Sequence, residues 1–298
     1  MKKLVVNFIT ILMLGSILTA QVIEGMAEFN FGEHNALQLK ITDVDKKLVQ
    51  NTWKNYTKQF GKPDKKNGEY ITKDANLAGL TNSVDWYFKV AKDDGSVTAF
   101  LCIISNEEFL SSVRQKTNYD VISQYFSDFK LAVDKAKVTR ELKTEKKELA
   151  KLKKKQKKLE KDYKKNEKSI EKNRKKIKKA EKNIASNLNL IEENKVKISK
   201  QISIVSDLSE KTANSIKDSK VSKEYKSENE KLTKLQKREK KLTEKIKDDN
   251  KSIKKAKEKI KKSEKKMKSI LKEQSKLENK IAEQDNLVNN LRKFLESM

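Results

Sequence analysis

The stretch KLKKKQKKLEKDYKKNEKSIEKNRKKIKKAEKNI, residues 151–184, contains neither glycine nor proline, and Tyr163, Ile170, Ile177 and Ile184 recur in it at every seventh position. A seven-residue apolar repeat in a run of good helix formers specifies a coiled-coil helix. Worked outward, the comb collects Leu142, Leu149, Ile191, Ile198 and Val205, with Gln156 as its interruption. Three residues after each comb position stand Leu152, Leu159, Asn166, Asn173, Ala180, Asn187, Asn194, Gln201 and Leu208. One seam position is therefore apolar and the other often polar, a pattern that costs stability and restricts register and partner.

A second comb runs through Tyr225, Leu232, Ile246, Ile253, Ile260, Met267, Ile281, Val288 and Leu295, with Leu235, Leu242, Ala256, Ile270, Leu277 and Leu291 as companions. It is out of phase with the first, since three heptads beyond Val205 lies Lys226 rather than Tyr225. The intervening SDLSEKTANSIKDSKVSK is rich in Ser, Asn, Asp and Thr. These features predict an antiparallel helical hairpin with its tip near 209–221 and arms of about 100 Å at 1.5 Å per residue. A straight rod with a phase slip is the competing geometry. The seams are thin, which leaves room for a homo-oligomer through the coil.

Folding the hairpin brings Lys153, Lys154, Lys155, Lys157, Lys158, Lys175, Lys176, Lys178 and Lys179 beside Lys254, Lys255, Lys257, Lys261 and Lys262. Such a band attracts polyanions through counterion release, yet any long helix also needs a solvated face. Lysine lacks the planar fork that grips phosphate, and no aromatic residues interleave to stack bases. The band therefore reads either as a solvated helix face alone or as a nonspecific attractor of polyanions, and not as a sequence-specific nucleic-acid site.

The chain carries a formal net charge of +27, and all but one unit of it comes from 131–298, where 54 basic residues face 28 acidic ones. Residues 28–130 balance 14 against 14. With 38% charged and 35% hydrophobic residues, the whole cannot be one ordinary globular domain. Three segments are expected: residues 1–27 as an export signal, 28–130 as a small head, and 131–298 as the coiled coil. MKKLVVNFITILMLGSILTA has a basic start, an apolar run and small residues after it, the form of a signal peptide cleaved after Ala20 or Ala27.

The head reads as α+β in the order βαβββα. ALQLKI (36–41) alternates as a strand, and Thr42 with Asp45 three residues on has the spacing of a capping box. Val44, Leu48, Val49, Trp53, Tyr56 and Phe60 follow at helical spacing until Gly61 and Pro63. GEYITKD is a further strand. Val84, Trp86, Phe88 and Val90 alternate before an Asp94-Gly95 turn and the continuous apolar strand TAFLCIIS, a hairpin. Tyr119, Ile122, Phe126, Phe129 and Val133 form a closing helix.

Candidate chemistry is sparse. His34 is the only histidine and Cys102 the only cysteine, so a histidine-cysteine metal cluster and an internal disulfide are excluded, and no Ser-His-Asp triad is expected around His34. No glycine-rich phosphate loop occurs. Neither a catalytic residue nor a cofactor is expected. Trp53, Trp86 and Tyr87 read as core, and Cys102 as a small buried hydrophobe.

NALQLKITDVDKKLVQNTWKNYTKQFG, followed by hairpin strands and a lysine-rich coil, resembles a group of exported proteins of Bacteroidetes-type bacteria with no assigned activity. That resemblance implies a periplasmic or envelope location. The expectation is a non-enzymatic envelope scaffold or spacer, with an envelope protein or anionic envelope component as partner. Two rivals stand beside it. One is a periplasmic holdase resembling the Skp/OmpH chaperones in signal, basicity and helical arms, although here the head precedes the arms. The other is a coiled-coil activator of a peptidoglycan hydrolase.

Overall fold

The computed structural model describes residues 21–80, 82–93, 95–214 and 219–298. Most of the expected signal segment, Asp94 of the expected turn, and positions 215–218 of the expected tip lie outside the described residues. The chain divides into two compact units, Met1–Lys151 with Ile281–Met298, and Leu152–Lys280.

The first unit is built on an antiparallel sheet of seven strands: β1 (Ile23–Phe29), β2 (Gly32–Thr42), β3 (Asp64–Lys66), β4 (Glu69–Ala75), β5 (Val84–Asp93), β6 (Ser96–Ser105) and β7 (Glu108–Phe109). They lie in the order β1-β2-β6-β5-β4-β3, with β7 paired to β6. The two helices that cover one face are α1 (Lys46–Tyr56) and the first turns of α2 (Lys116–Asn214). The expected βαβββα string is present as β2, α1, β4, β5, β6 and α2. To it the structure adds β1 and the short strands β3 and β7.

Helix α1 starts at Asp45, whose carboxylate accepts a 2.8 Å hydrogen bond from the Leu48 amide. The capping box expected at Thr42 is corrected: Thr42 is still the last residue of β2, paired with Ser96, so Asp45 itself satisfies the first free amide. Thr57 ends the helix by donating its hydroxyl back to the Trp53 carbonyl at 2.9 Å. Beyond it Gly61 has a φ of 154°, and a Cβ there would sit 2.7 Å from the Thr72 methyl. Only glycine lets the chain pass so close to β4. At the hairpin, Asp93 pairs with Ser96, and Gly95 takes a φ of 70°, as a two-residue loop requires.

Alternation along the strands sends Leu37, Leu39, Ile41, Trp86, Phe88, Val90, Val97, Ala99, Leu101 and Ile103 to the helix-covered face. Against them α2 places Ile122, Phe126, Phe129 and Val133, all fully buried; their spacing of four, three and four is that of one helical face. Trp53 lies at the centre, stacked on Phe88 with centroids 4.1 Å apart and met edge-on by Phe126 and Phe129. Helix α2 continues without a break through the charge boundary at residue 130. Still within this unit, Val138, Leu142 and Leu149 pack with Val288 and Leu291 of α3 (Ser219–Ser297), and Ile281 joins their edge. The sheet also begins earlier than residue 28, because β1 pairs with β2 along all seven of its residues.

In the second unit the remaining lengths of α2 and α3 pair antiparallel, so the hairpin and not the rod is the geometry. Asn194 donates across to the Leu235 carbonyl at 2.8 Å, and Gln201 donates to the Glu228 carbonyl and carboxylate at 3.0 and 2.8 Å. The residue numbers of both pairs have the same sum, which fixes one register. Both combs face this seam: Ile170 is buried, and Ile177, Ile184, Ile191, Ile198, Ile246, Ile253 and Ile260 are half-buried. Companion positions include Leu159, Ala180, Leu242, Ala256 and Leu277, each under a tenth exposed, together with buried Asn173 and Ser263.

Candidate functional site

The lysine band lies wholly in the second unit, and each of its fourteen predicted members is exposed. The reason is positional, since none occupies a seam position and lysine stems reach outward from the helix surface. The register that pairs Asn194 with Leu235 and Gln201 with Glu228 sets positions 254–262 of α3 level with 167–175 of α2, beside Lys175, but sets 153–158 level with 271–276, so the single band expected from the sequence is corrected to two stretches of lysine. The band is partly neutralised: Lys155 pairs with Glu273 of the opposite arm at 2.7 Å, and Lys175 with Glu171 at 2.7 Å. The hydrogen bond from Lys175 holds the Glu171 carboxyl below its usual range and lifts Lys175 above its own. Lys168, Lys172, Lys175, Lys176 and Lys179 line a shallow groove with Glu171 along one outward stripe of α2. Chemically this is an array of mobile point charges. It suits a diffuse polyanion better than one bound phosphate.

The head carries a second surface that the sequence reading passed over. On the sheet face away from the helices, Phe29, Phe31, His34, Tyr87, Phe100 and Phe109 gather around Ala27, Ala36 and Cys102. The His34 and Phe109 rings stack with centroids 4.0 Å apart, and Phe31 lies 4.6 Å from Tyr87 and 4.8 Å from His34. Phe31 is 41% exposed and tops the cluster. Lys89 reaches over the Phe29 and Phe100 rings at 4.8 and 5.3 Å and donates to the Glu28 carbonyl. Lys73 donates to Asp85 and, at 2.7 Å, to the Tyr87 hydroxyl, which together raise its pKa.

The turn between β1 and β2 is drawn over this face by Glu69, which accepts a 2.8 Å bond from the Asn30 amide through Oε1. Its Oε2 is buried without a protein partner. Cys102, beneath the rings, is fully buried, and burial followed by the nearby Glu69 charge pushes its thiol up to about 12. It is a packing residue and not a nucleophile at neutral pH. One signal in the sequence did mark this face. TAFLCIIS is apolar at both parities, which means that both sides of β6 are covered, and His34 belongs to the second of these covers.

Among the described residues no three His, Cys, Asp or Glu side chains come together as a metal site, and no helix is long and apolar enough to cross a membrane. No protein-family model matches the chain, and no curated protein matches it either.

Proposed function

We propose that the protein is a non-enzymatic scaffold or spacer of the bacterial cell envelope, in which the head is the recognition module and the paired arms present lysine to an anionic envelope component. The observation that carries this reading is the division of labour within the second unit. Of its polar seam groups, Asn194 and Gln201 bond across to the other arm and Asn166 and Asn173 bond back to their own helix, while the lysines all face outward. A helix pair of this kind is a surface coated with charge.

Export belongs to the same proposal. Processing follows Ala20, because a cut after Ala27 removes Ile23–Ala27 from a strand paired along its whole length. Mass spectrometry of the protein recovered from cells reads the new N-terminus directly.

The test of function is binding of the full chain to vesicles of anionic and of neutral lipid across a salt series. Attachment to anionic vesicles alone, with log affinity falling linearly against log salt, supports the reading. A slope near zero removes electrostatic attachment. Replacing Lys175, Lys176, Lys178 and Lys179 by Gln reduces the slope, and equal binding to neutral vesicles counts against the lysine band altogether.

A further inference from the structure

We propose that the e flank of α2 over residues 188–202 forms a self-association surface on which a second copy of this chain docks through Leu188 and Ile202, with Leu190 and Ile204 on the opposite flank of the same seam. The heptad frame carries the argument. With Ile184, Ile191 and Ile198 at position a and Asn187, Asn194 and Gln201 at d, the flanking e positions are Leu188, Lys195 and Ile202, and the g positions are Leu190, Lys197 and Ile204. A two-helix coil buries only a and d. Apolar residues at e and g widen the stripe beyond what one partner helix covers, which is the pattern of a helix with further neighbours.

The structure agrees with that count. Leu188, Ile202 and Ile204 remain 53%, 49% and 44% exposed with α3 in place, and Ile184, Ile191 and Ile198 are only half-buried. The facing stretch of α3 offers no match, since its own flanks there are Glu224, Asn229, Lys231, Gln236, Arg238 and Thr243. Lower on α2 the same e positions are charged: Lys153, Glu160, Glu167, Arg174 and Glu181. The widening is local.

Charge identifies the occupant as a second copy. Residues 151–182 hold 17 basic and 5 acidic side chains, so two copies repel each other along that length. Residues 183–210 hold 3 basic and 4 acidic side chains. In a protein of net charge +27, this is where two α2 helices approach without lysine facing lysine over most of the contact. A symmetric pair buries the same residues on both sides.

Sedimentation equilibrium of the purified full chain tests this at several concentrations and two salt levels. A monomer–dimer equilibrium that tightens as salt rises is expected, because screening weakens the repulsion of the basic lengths while the contact itself is apolar. Leu188→Lys with Ile202→Lys weakens the dimer by about a hundred-fold. Val196→Lys, equally exposed at 52% but at the outer f position, leaves it unchanged. Far-UV circular dichroism checks that the arms stay helical. As a route that needs no destabilising change, Ile202→Cys forms an intermolecular disulfide on mild oxidation faster than Val196→Cys, with Cys102 left buried. A monomer at every concentration overturns the proposal, as do equal effects of the e and f substitutions. A monomer that instead captures an unfolded polypeptide through Leu188 and Ile202 also overturns it, and assigns the surface to a client.

Discussion

The head and the second unit solve the same problem, holding apolar side chains away from water, with opposite economies of material. In the head, Trp53, Trp86, Phe88, Phe126 and Phe129 are fully buried and touch one another. Stability is concentrated in a few large rings. In the second unit most apolar seam residues are half-buried, and polar Asn173, Asn194 and Ser263 sit among them. There stability is spread along the helices, and alignment depends on particular polar groups. The comparison teaches that one chain can separate how firmly a part is held from how exactly it is aligned.

The largest effect expected is at the ring cluster. Phe126→Ala or Trp53→Ala costs about 3–5 kcal/mol, read by chemical denaturation followed in near-UV circular dichroism. If the helical signal of the second unit melts at the same denaturant concentration, the contrast between the two regions fails. Leu277→Ala or Leu242→Ala comes next, at about 2–3 kcal/mol, detected as faster amide exchange in the surrounding turns. A loss as large as that of Trp53 would show a seam better packed than its burial indicates.

Asn194→Leu sharpens the contrast in the other direction. Its side-chain oxygen is buried without a partner, a cost that leucine removes, so a gain of about 1 kcal/mol is expected. The same substitution loosens register, which spin labels on the two arms report as a broader distance distribution. Asp45→Ala removes the cap of α1 and costs about 1 kcal/mol, seen in the thermal midpoint of the head.

The smallest effect is alkaline. Burial raises the Cys102 thiol from 9.0 to about 12 and the Tyr56 hydroxyl from 10.0 to about 12. The folded state therefore keeps protons that the unfolded chain releases. Stability of the head is fully present below pH 9 and falls as pH rises from there toward 12. Cys102→Ala flattens the first part of that decline. A decline that is unchanged removes the thiol from the account.

Periodicity made the arms legible. Every half-buried isoleucine of the seam sat on a comb visible in the bare sequence, because lysine-rich helices leave little else apolar to confuse the pattern. The ring cluster on the second sheet face was not legible. It depends on Asn30 meeting Glu69 and on Phe31 meeting Tyr87, contacts between segments far apart in the chain. Strand β1 was hidden by its own composition, since IEGMAEF carries a glycine and weak alternation, and the segment adjoins an apolar run that reads as a signal. The exposure of the lysines follows from their places off the seam, whereas the widened stripe at Leu188 and Ile202 shows only when the e and g positions are read together with a and d.

The constant sum shared by the cross-arm pairs Asn194–Leu235 and Gln201–Glu228 has a consequence for how such a chain tolerates changes of length. A seven-residue deletion between Leu152 and Ile191 keeps every comb residue in phase yet pulls the lower part of α2 one heptad along its partner. An equal deletion from the matching stretch of α3 restores the alignment. Insertions and deletions in the arms are therefore expected to be tolerated as matched pairs, in whole heptads, so that the length of the arms can change while their register is kept.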